Sequence, residues 1–288
     1  MQLRSPPAGI FNRVWLYYSR ECDIGIVINT GWLHRSEGTV YDRAIRSENM
    51  NQRFETKSEA RQFVWDALEQ ENAARFPFPP HGRIPNFAGA EQAAKLLLNQ
   101  EIFRGVQRVK INPDAPQRFI REGALRRGMT VYMPTPRLRA GFQKFDPDNI
   151  PGDRYSEAAT LSKGKLYAEQ VDLGEIPAMD LVVAGSVAVT RDGKRCGKGH
   201  GYSDLEYAIL RELGHDEIPV VTTVHPIQVV EDFPADLHDL SLSVIATPEE
   251  IIGISDPPPA PKGIDWSSVR DQDLQEMPVL QDLKELKS

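Results

Sequence analysis

Three glycines at alternate positions stand in the stretch Gly197-Lys198-Gly199-His200-Gly201, followed directly by Tyr202-Ser203-Asp204. Residues of these types can hold an anion. Glycine has no Cβ, so the backbone can fold back and bring its amides close to a phosphate. Lys198 adds a mobile positive charge, and Asp204, in the first turn of the following helical pattern, is placed to hold a magnesium ion on that phosphate. The same residues also suit a plain connector between a strand and a helix, and the loop by itself leaves both readings open. It is neither a Walker A motif, which needs G-x-x-x-x-G-K-[ST], nor a Rossmann fingerprint, whose last glycine lies further on. A second pair of cations, Lys57 and Arg61, lies one turn apart at the start of a predicted helix. Cations there oppose the helix dipole unless an anion sits with them; a solvated surface pair is the alternative. His200, His225 and His238 lack metal-ligand spacing. His238 reads as a positioner beside Asp239, the other two as structural, and Cys196 as a small buried thiol.

The elements that must position these residues are legible around them. Leu181 to Val189 is an apolar, β-branched run of the kind that forms a strand buried on both faces, and Asp192-Gly193 supplies a turn. After the glycine loop, Leu205, Ala208 and Ile209 fall on one face of a helix, with Glu206, Arg211 and Glu212 on the other. Thr56-x-x-Glu59 is a capping box ahead of a helix with Phe63, Val64, Ala67 and Leu68 as its apolar stripe, running to about Ala74. A proline-rich connector, FPFPPHGRIP, leads to a helix over Ala90 to Leu98. RVKIN (108–112) and TVYMP (130–134) read as strands with a helix from Phe119 to Arg127 between them, stopped by Gly128. Residues 141–179 read as loop-rich, punctuated by Pro147, Pro151, Gly152, Gly164 and Gly174. PVVTTVHP (219–226) and Leu240 to Ile245 are further strands, Thr247 caps a turn over Pro248, and DPPPAPKG (256–263) is a stiff linker. Leu274, Met277, Leu280 and Leu283 in the tail have the periodicity of a docking helix. Strands alternating with helices predict a three-layer, Rossmann-like α/β fold, a mostly parallel sheet with helices on both faces. The expected organisation is an N-terminal extension over 1–52 with short strands in RVWLYY and IGIVINT, a main domain over 53–254, and a linker and docking tail over 255–288.

The bulk numbers bound the function. The 288 residues are 40% hydrophobic and 26% charged with a formal net charge of −7, an ordinary globular composition that argues against a broad nucleic-acid footprint. Two cysteines, Cys22 and Cys196, give neither a disulfide framework nor zinc spacing, so a reducing, cytoplasmic setting is expected. No run reaches the ~18 apolar residues of a membrane span, and the N-terminus lacks a signal-peptide core. A small-molecule substrate and a monomer or homodimer are expected, with no membrane partner.

Together these landmarks resemble the 5-formyltetrahydrofolate cyclo-ligase (methenyltetrahydrofolate synthetase) family. The likeness rests on K-x-x-x-R at Lys57 and Arg61, on YMPTPR, on the DLVVAG…GKGHGYSD block and on HDLSLSVIATPEE. The family signature G-x-G-x-G-Y-Y-D stands here as Gly197, Gly199, Gly201, Tyr202, Ser203 and Asp204, with serine for one tyrosine. The likeness runs from about Lys57 to Ile252 and is greatest to a divergent, cyclo-ligase-like branch. Animal members of that branch carry an added RNA-recognition domain; no RNP1-like run exists here, so no nucleic-acid partner is expected. The resemblance implies ATP- and Mg²⁺-dependent ring closure of 5-formyltetrahydrofolate to 5,10-methenyltetrahydrofolate. It implies that Lys57, Arg61, Arg137 and the loop Gly197, Lys198, Gly199, His200, Gly201, Tyr202 and Ser203 bind the nucleotide. Lys198 and Tyr202 would take the catalytic roles, with Asp204 and Asp239 as magnesium ligands. One departure stands out: the family places a substrate-contacting glutamate where Pro116 and Gln117 stand, and Asp114 is shorter and two or three residues early. The ATP half of the site is therefore better preserved than the folate half. A related ATP-using enzyme on another heterocycle, for example in thiamin salvage, and a nucleotide- or folate-binding protein without turnover are the alternatives.

Overall fold

A computed structural model describes residues 52–286 apart from 140, 268, 270–273 and 276, together with the backbone but not the side chain of Arg137. Save for Gln52, the expected extension over 1–52, with RVWLYY and IGIVINT, lies outside the described residues.

In chain order the elements are α1 (Lys57–Gln70), β1 (Ala74–Arg75), β2 (Asn86–Phe87), α2 (Ala90–Leu98), β3 (Arg108–Ile111), α3 (Arg118–Arg126) and β4 (Thr130–Pro134). Then follow β5 (Phe142–Phe145), α4 (Tyr155–Ala158), β6 (Glu169–Val171), β7 (Leu181–Val183), β8 (Ala188–Thr190), β9 (Arg195–Cys196) and α5 (Tyr202–Glu212). β10 (Val220–Thr223), β11 (Val229–Val230), β12 (Val244–Ala246), β13 (Ile251–Gly253) and α6 (Val279–Leu286) complete the set. The main sheet has the order β13-β12-β10-β7-β3-β4-β5-β6. Its five inner strands, β12 to β4, run parallel, and its edges are antiparallel.

Side chains alternate across this sheet with the period of a strand. Val109, Ile111, Val131, Met133, Leu181, Val183 and Val221 meet α2 and α3 on one face. Tyr132, Val182, Val220 and Ile245 meet Tyr207 and Leu210 of α5 on the other, together with Val279, Leu280 and Leu283 of α6. Helices on both faces of a largely parallel sheet make this the three-layer α/β fold that the alternating pattern predicts. A smaller sheet, β11-β8-β9, packs beneath the apolar face of α1, where Ala60, Val64, Trp65 and Leu68 meet Val187, Ala188, Cys196 and Ile227. Thr56 and Glu59 form the expected capping box at the head of α1, which ends at Gln70 rather than near Ala74.

Two expectations need correction, and one loop-rich segment proves to hold edge strands. The run Leu181–Val189 is two strands in two sheets, because the chain turns aside at Gly185. There the carbonyl accepts from the Arg195 guanidinium and a Cβ would lie 2.8 Å from Asp114 Oδ2. The segment 141–179 contributes β5 and β6, antiparallel additions to one edge, among its loops. Glu206 belongs to the buried face of α5 rather than to its polar face.

The chain lays β3 and β4 outward in one direction and β7, β10 and β12 in the other, so the order reverses between β3 and β7. At such a switch point the loops leaving the carboxyl ends of neighbouring strands diverge and open a crevice. Asp114, after β3, and Gly185, after β7, face each other there.

Candidate functional site

The crevice is a cavity of ≈710 Å³, lined by the turns after β3 and β4 and by the glycine loop with the head of α5. Gly199 and Gly201 have φ of +104° and +69°, a region that costs an L side chain energy and that glycine enters freely. Gly201 is the N-cap of α5 and supplies no side-chain cap. The amides of the first helical turn, which have no acceptor within the helix, therefore remain open to a ligand. Tyr202, Ser203 and Asp204 of that turn line the cavity, as do Gly197, Lys198, His200 and Gly201.

α1 reaches this loop through the Arg61 side chain and the Lys57 backbone. Arg61 Nε donates to the Gly197 carbonyl at 2.7 Å, and the Lys57 carbonyl lies 3.6 Å from Cys196 Sγ. Lys57 Nζ is held by Asp239 at 2.5 Å and by Asp236 at 2.6 Å. Burial pulls this ammonium down, but the two aspartates outweigh it and hold it above its ordinary value. Lys198 Nζ stands 3.4 Å from Asp114 Oδ1. Asp204 Oδ1 accepts from Arg195 at 3.0 Å and from the Leu240 amide at 2.9 Å, which ties the loop to the segment carrying Asp239. His200 packs near Tyr202, with ring centroids 5.8 Å apart.

The structure thus brings Lys57, Arg61, the glycine loop, Asp204 and Asp239 to one end of the sheet. Arg137 lies in the short turn Pro136–Leu138 beside the cavity-lining Thr135 and Pro136, while its side chain is outside the described residues. His238 does not position Asp239: it is exposed and lies 4.0 Å from Asp265 of the tail segment. His225 caps the turn before β11, its Nδ1 accepting from the Ile227 amide at 3.3 Å. Cys196 is buried, and that burial pushes its thiol pKa up, as an unreactive cysteine requires. Pro116 and Gln117 are buried and do not line the cavity; Asp114 does.

Four further residues escape a reading of the sequence. Arg195 is buried between the Gly185 carbonyl and Asp204. Arg121 donates to the carbonyls of Asn112 (2.6 Å), Asp114 (3.2 Å) and Ala159 (3.0 Å), which fixes the turn after β3. Burial pulls its guanidinium pKa down to about 10, against the pull of the Asp114 charge. Lys110 and Glu206 form a buried ion pair at the cavity floor, which Glu206 helps to line. Desolvation raises the Glu206 carboxyl above its ordinary range, with Lys110 opposing. A charge at the centre of an apolar strand, as in Val109-Lys110-Ile111, is the one signal that pointed to such a pair.

These donors fit a nucleotide with its metal. Among the described residues no group of three or more His, Cys, Asp or Glu could hold a metal ion unaided. Mg²⁺ needs less, since it takes one or two carboxylates and completes its shell with water and phosphate oxygens. Asp204 and Asp239 offer two, and each is already balanced by a cation that phosphate oxygens could engage.

The 5-formyltetrahydrofolate cyclo-ligase family model matches residues 42–248. The chain belongs to that family. Methenyltetrahydrofolate synthase domain-containing proteins of Mus musculus and Homo sapiens are 44% and 39% identical to it over 239 and 238 residues, each across 80% of this chain. The chain spans 63% and 61% of the length of these two relatives. A solved structure, the Aquifex aeolicus 5,10-methenyltetrahydrofolate synthetase, is similar at 18% identity and a TM-score of 0.44, over 69% of this chain and 93% of that one. Among the described residues no helix is long and apolar enough to cross a membrane.

Proposed function

We propose that the domain is an ATP- and Mg²⁺-dependent cyclo-ligase that converts 5-formyltetrahydrofolate to 5,10-methenyltetrahydrofolate with release of ADP and phosphate. The observation that carries this reading is the meeting of α1 with the glycine loop at the switch-point cavity, where Arg61 bonds the Gly197 carbonyl. Arg61 thus braces the loop whose open amides and Lys198 line the cavity, and phosphoryl transfer draws on donors and cations held in place in this way. Loop amides, Lys198 and Arg61 would hold the phosphates; Asp204 and Asp239 would hold a magnesium ion, which supplies neutralisation of phosphate charge. Phosphoryl transfer to the formyl oxygen makes it a leaving group. N10 then attacks the formyl carbon and gives up its proton to solvent, and the C–O bond breaks to free phosphate. The residues contribute chiefly position and charge. Tyr202 lies beside the rings of the bound molecules, and the working compartment is the cytoplasm.

The decisive experiment mixes the protein with Mg-ATP and 5-formyltetrahydrofolate and follows the methenyl chromophore. Product formation that requires ATP is the expected result. Nucleotide-dependent thermal stabilisation without product would overturn the folate assignment. One observation favours a second reading, an ATP-using enzyme on another heterocycle. After β3 the carboxylate that lines the cavity is that of Asp114, which pairs with Lys198, while Gln117 is buried away from it. Phosphate release with a different acceptor, and none with the formyl-folate, would select it.

A further inference from the structure

At the cavity floor the hydrogen bonds have only one possible direction. Lys110 Nζ is a donor with no acceptor capacity, and it stands 2.9 Å from Asn112 Oδ1. That contact fixes which end of the Asn112 amide is oxygen. A flip would set the NH₂ against an ammonium and the oxygen against the Glu206 carboxylate, which now accepts from Nδ2 at 3.3 Å. Asn112 Nδ2 must therefore donate to Ser203 Oγ, 2.8 Å away. A hydroxyl that accepts from Asn112 keeps its own proton for another partner. Asn112 is the one hydrogen-bond partner recorded for Ser203 Oγ among the described residues, and both residues line the cavity.

We propose that Ser203 is a ligand-contacting hydrogen-bond donor whose hydroxyl proton is directed into the cavity by the chain Lys110 to Asn112 to Ser203, and that it serves an anionic oxygen of the phosphoryl type. Asn112 and Lys110 are positioning residues, because they act on the ligand through Ser203. Glu206 holds Lys110 in place through their buried contact. Ser203 sits in the first turn of α5, where the open amides favour the same kind of oxygen. A tyrosine in this position could not take the short bond from Asn112 without displacing the amide, so the serine and the buried network form one device. The inference rests on the nucleotide-binding reading above and specifies how one of its donors is oriented.

The test is a double-mutant cycle read by calorimetric titration with Mg-ATP. Ser203→Ala is expected to weaken binding roughly tenfold, the loss of one hydrogen bond to a charged oxygen. Ser203→Thr keeps the hydroxyl and is expected to bind within about threefold of wild type. Asn112→Asp leaves Lys110 a partner but gives Ser203 an acceptor, so the hydroxyl proton turns away from the ligand. In that background Ser203→Ala is expected to cost less than about threefold. If Asn112→Asp does not fold, Asn112→Ala takes its place, with the same fall in the Ser203→Ala penalty expected. Equal Ser203→Ala penalties in both backgrounds overturn the inference, as does a Ser203→Ala variant that binds like wild type. Lys198→Ala separates the two levels of the argument. If it abolishes binding while Ser203→Ala does not weaken it, this inference falls alone; a wild-type protein that binds no Mg-ATP overturns both.

Discussion

Lys110 and Glu206 show how a single buried pair can shape the floor of a site. Each is buried in a layer that is otherwise apolar, and an ion in such a place is tolerated only beside its counter-ion. Lys110→Met keeps the volume but strands the Glu206 carboxylate. A loss of about 3–5 kcal/mol at neutral pH is expected, measured as a fall in the denaturation midpoint. The pH dependence carries the sign of the cause. Desolvation raises the Glu206 carboxyl in the folded state, and removing Lys110 raises it further. The stability tied to a raised carboxyl is fully present below its ordinary value and is lost as pH rises through the raised one. The variant should therefore be closer to wild type at pH 5 than at pH 8, and a penalty that grows on acidification would exclude this cause. Replacing both residues, as Lys110→Met with Glu206→Leu, should recover much of the stability. Neither residue could be paired from the sequence. They lie 96 positions apart, and a glutamate on a helix reads as solvent-facing until a partner is known.

At the scale of elements, the parts with local signals were legible and the parts with distant causes were not. The Thr56–Glu59 box, the helix AEQAAKLLL and the strand TVYMP are each specified by residues within one or two turns, and each appears where those residues put it. The break at Gly185 has no local cause. It depends on Asp114 approaching from one side and Arg195 reaching the carbonyl from the other. The edge strands β5 and β6 were hidden among Pro and Gly because pairing with β4 defines them more than their own pattern does. Among the site residues, the loop and the α1 cations could be found by type and spacing, whereas Arg195 and Arg121 could not. Two predictions belong to this scale. Gly201→Val forces a β-branched residue to a φ of +69°, with an expected cost of about 1–2 kcal/mol. It is also expected to abolish Mg-ATP binding in calorimetry; normal binding would make the loop a mere connector. Thr56→Ala removes the side-chain cap from α1, with an expected loss of about 1 kcal/mol. It should weaken nucleotide binding only slightly, because Lys57 is anchored independently by Asp236 and Asp239.

For the molecule as a whole, α5 links the site to the tail. Its first turn faces the cavity, and at its other end Glu212 accepts from the Ile264 amide at 2.9 Å. The segment that follows Ile264 leads to α6, whose Leu280 and Leu283 are buried in the same core cluster as Tyr207 and Leu210 of α5. A second cavity, ≈660 Å³, lies between the 235–241 segment and the linker, and Arg195 lines both cavities. The tail thus covers one face of the sheet whose carboxyl edge forms the site. If that cover is integral to the fold, Leu283→Ala should behave as a core truncation. The expected loss is about 2–5 kcal/mol, with one cooperative transition as in wild type. If the tail were only appended, the same substitution would leave the main transition within about 0.5 kcal/mol of wild type, as surface changes do. Chemical denaturation followed by far-ultraviolet circular dichroism and by intrinsic fluorescence distinguishes the two cases. Coincident, shifted curves indicate one core that includes α6, whereas an unshifted main transition would assign α6 to an attachment that α5 does not need.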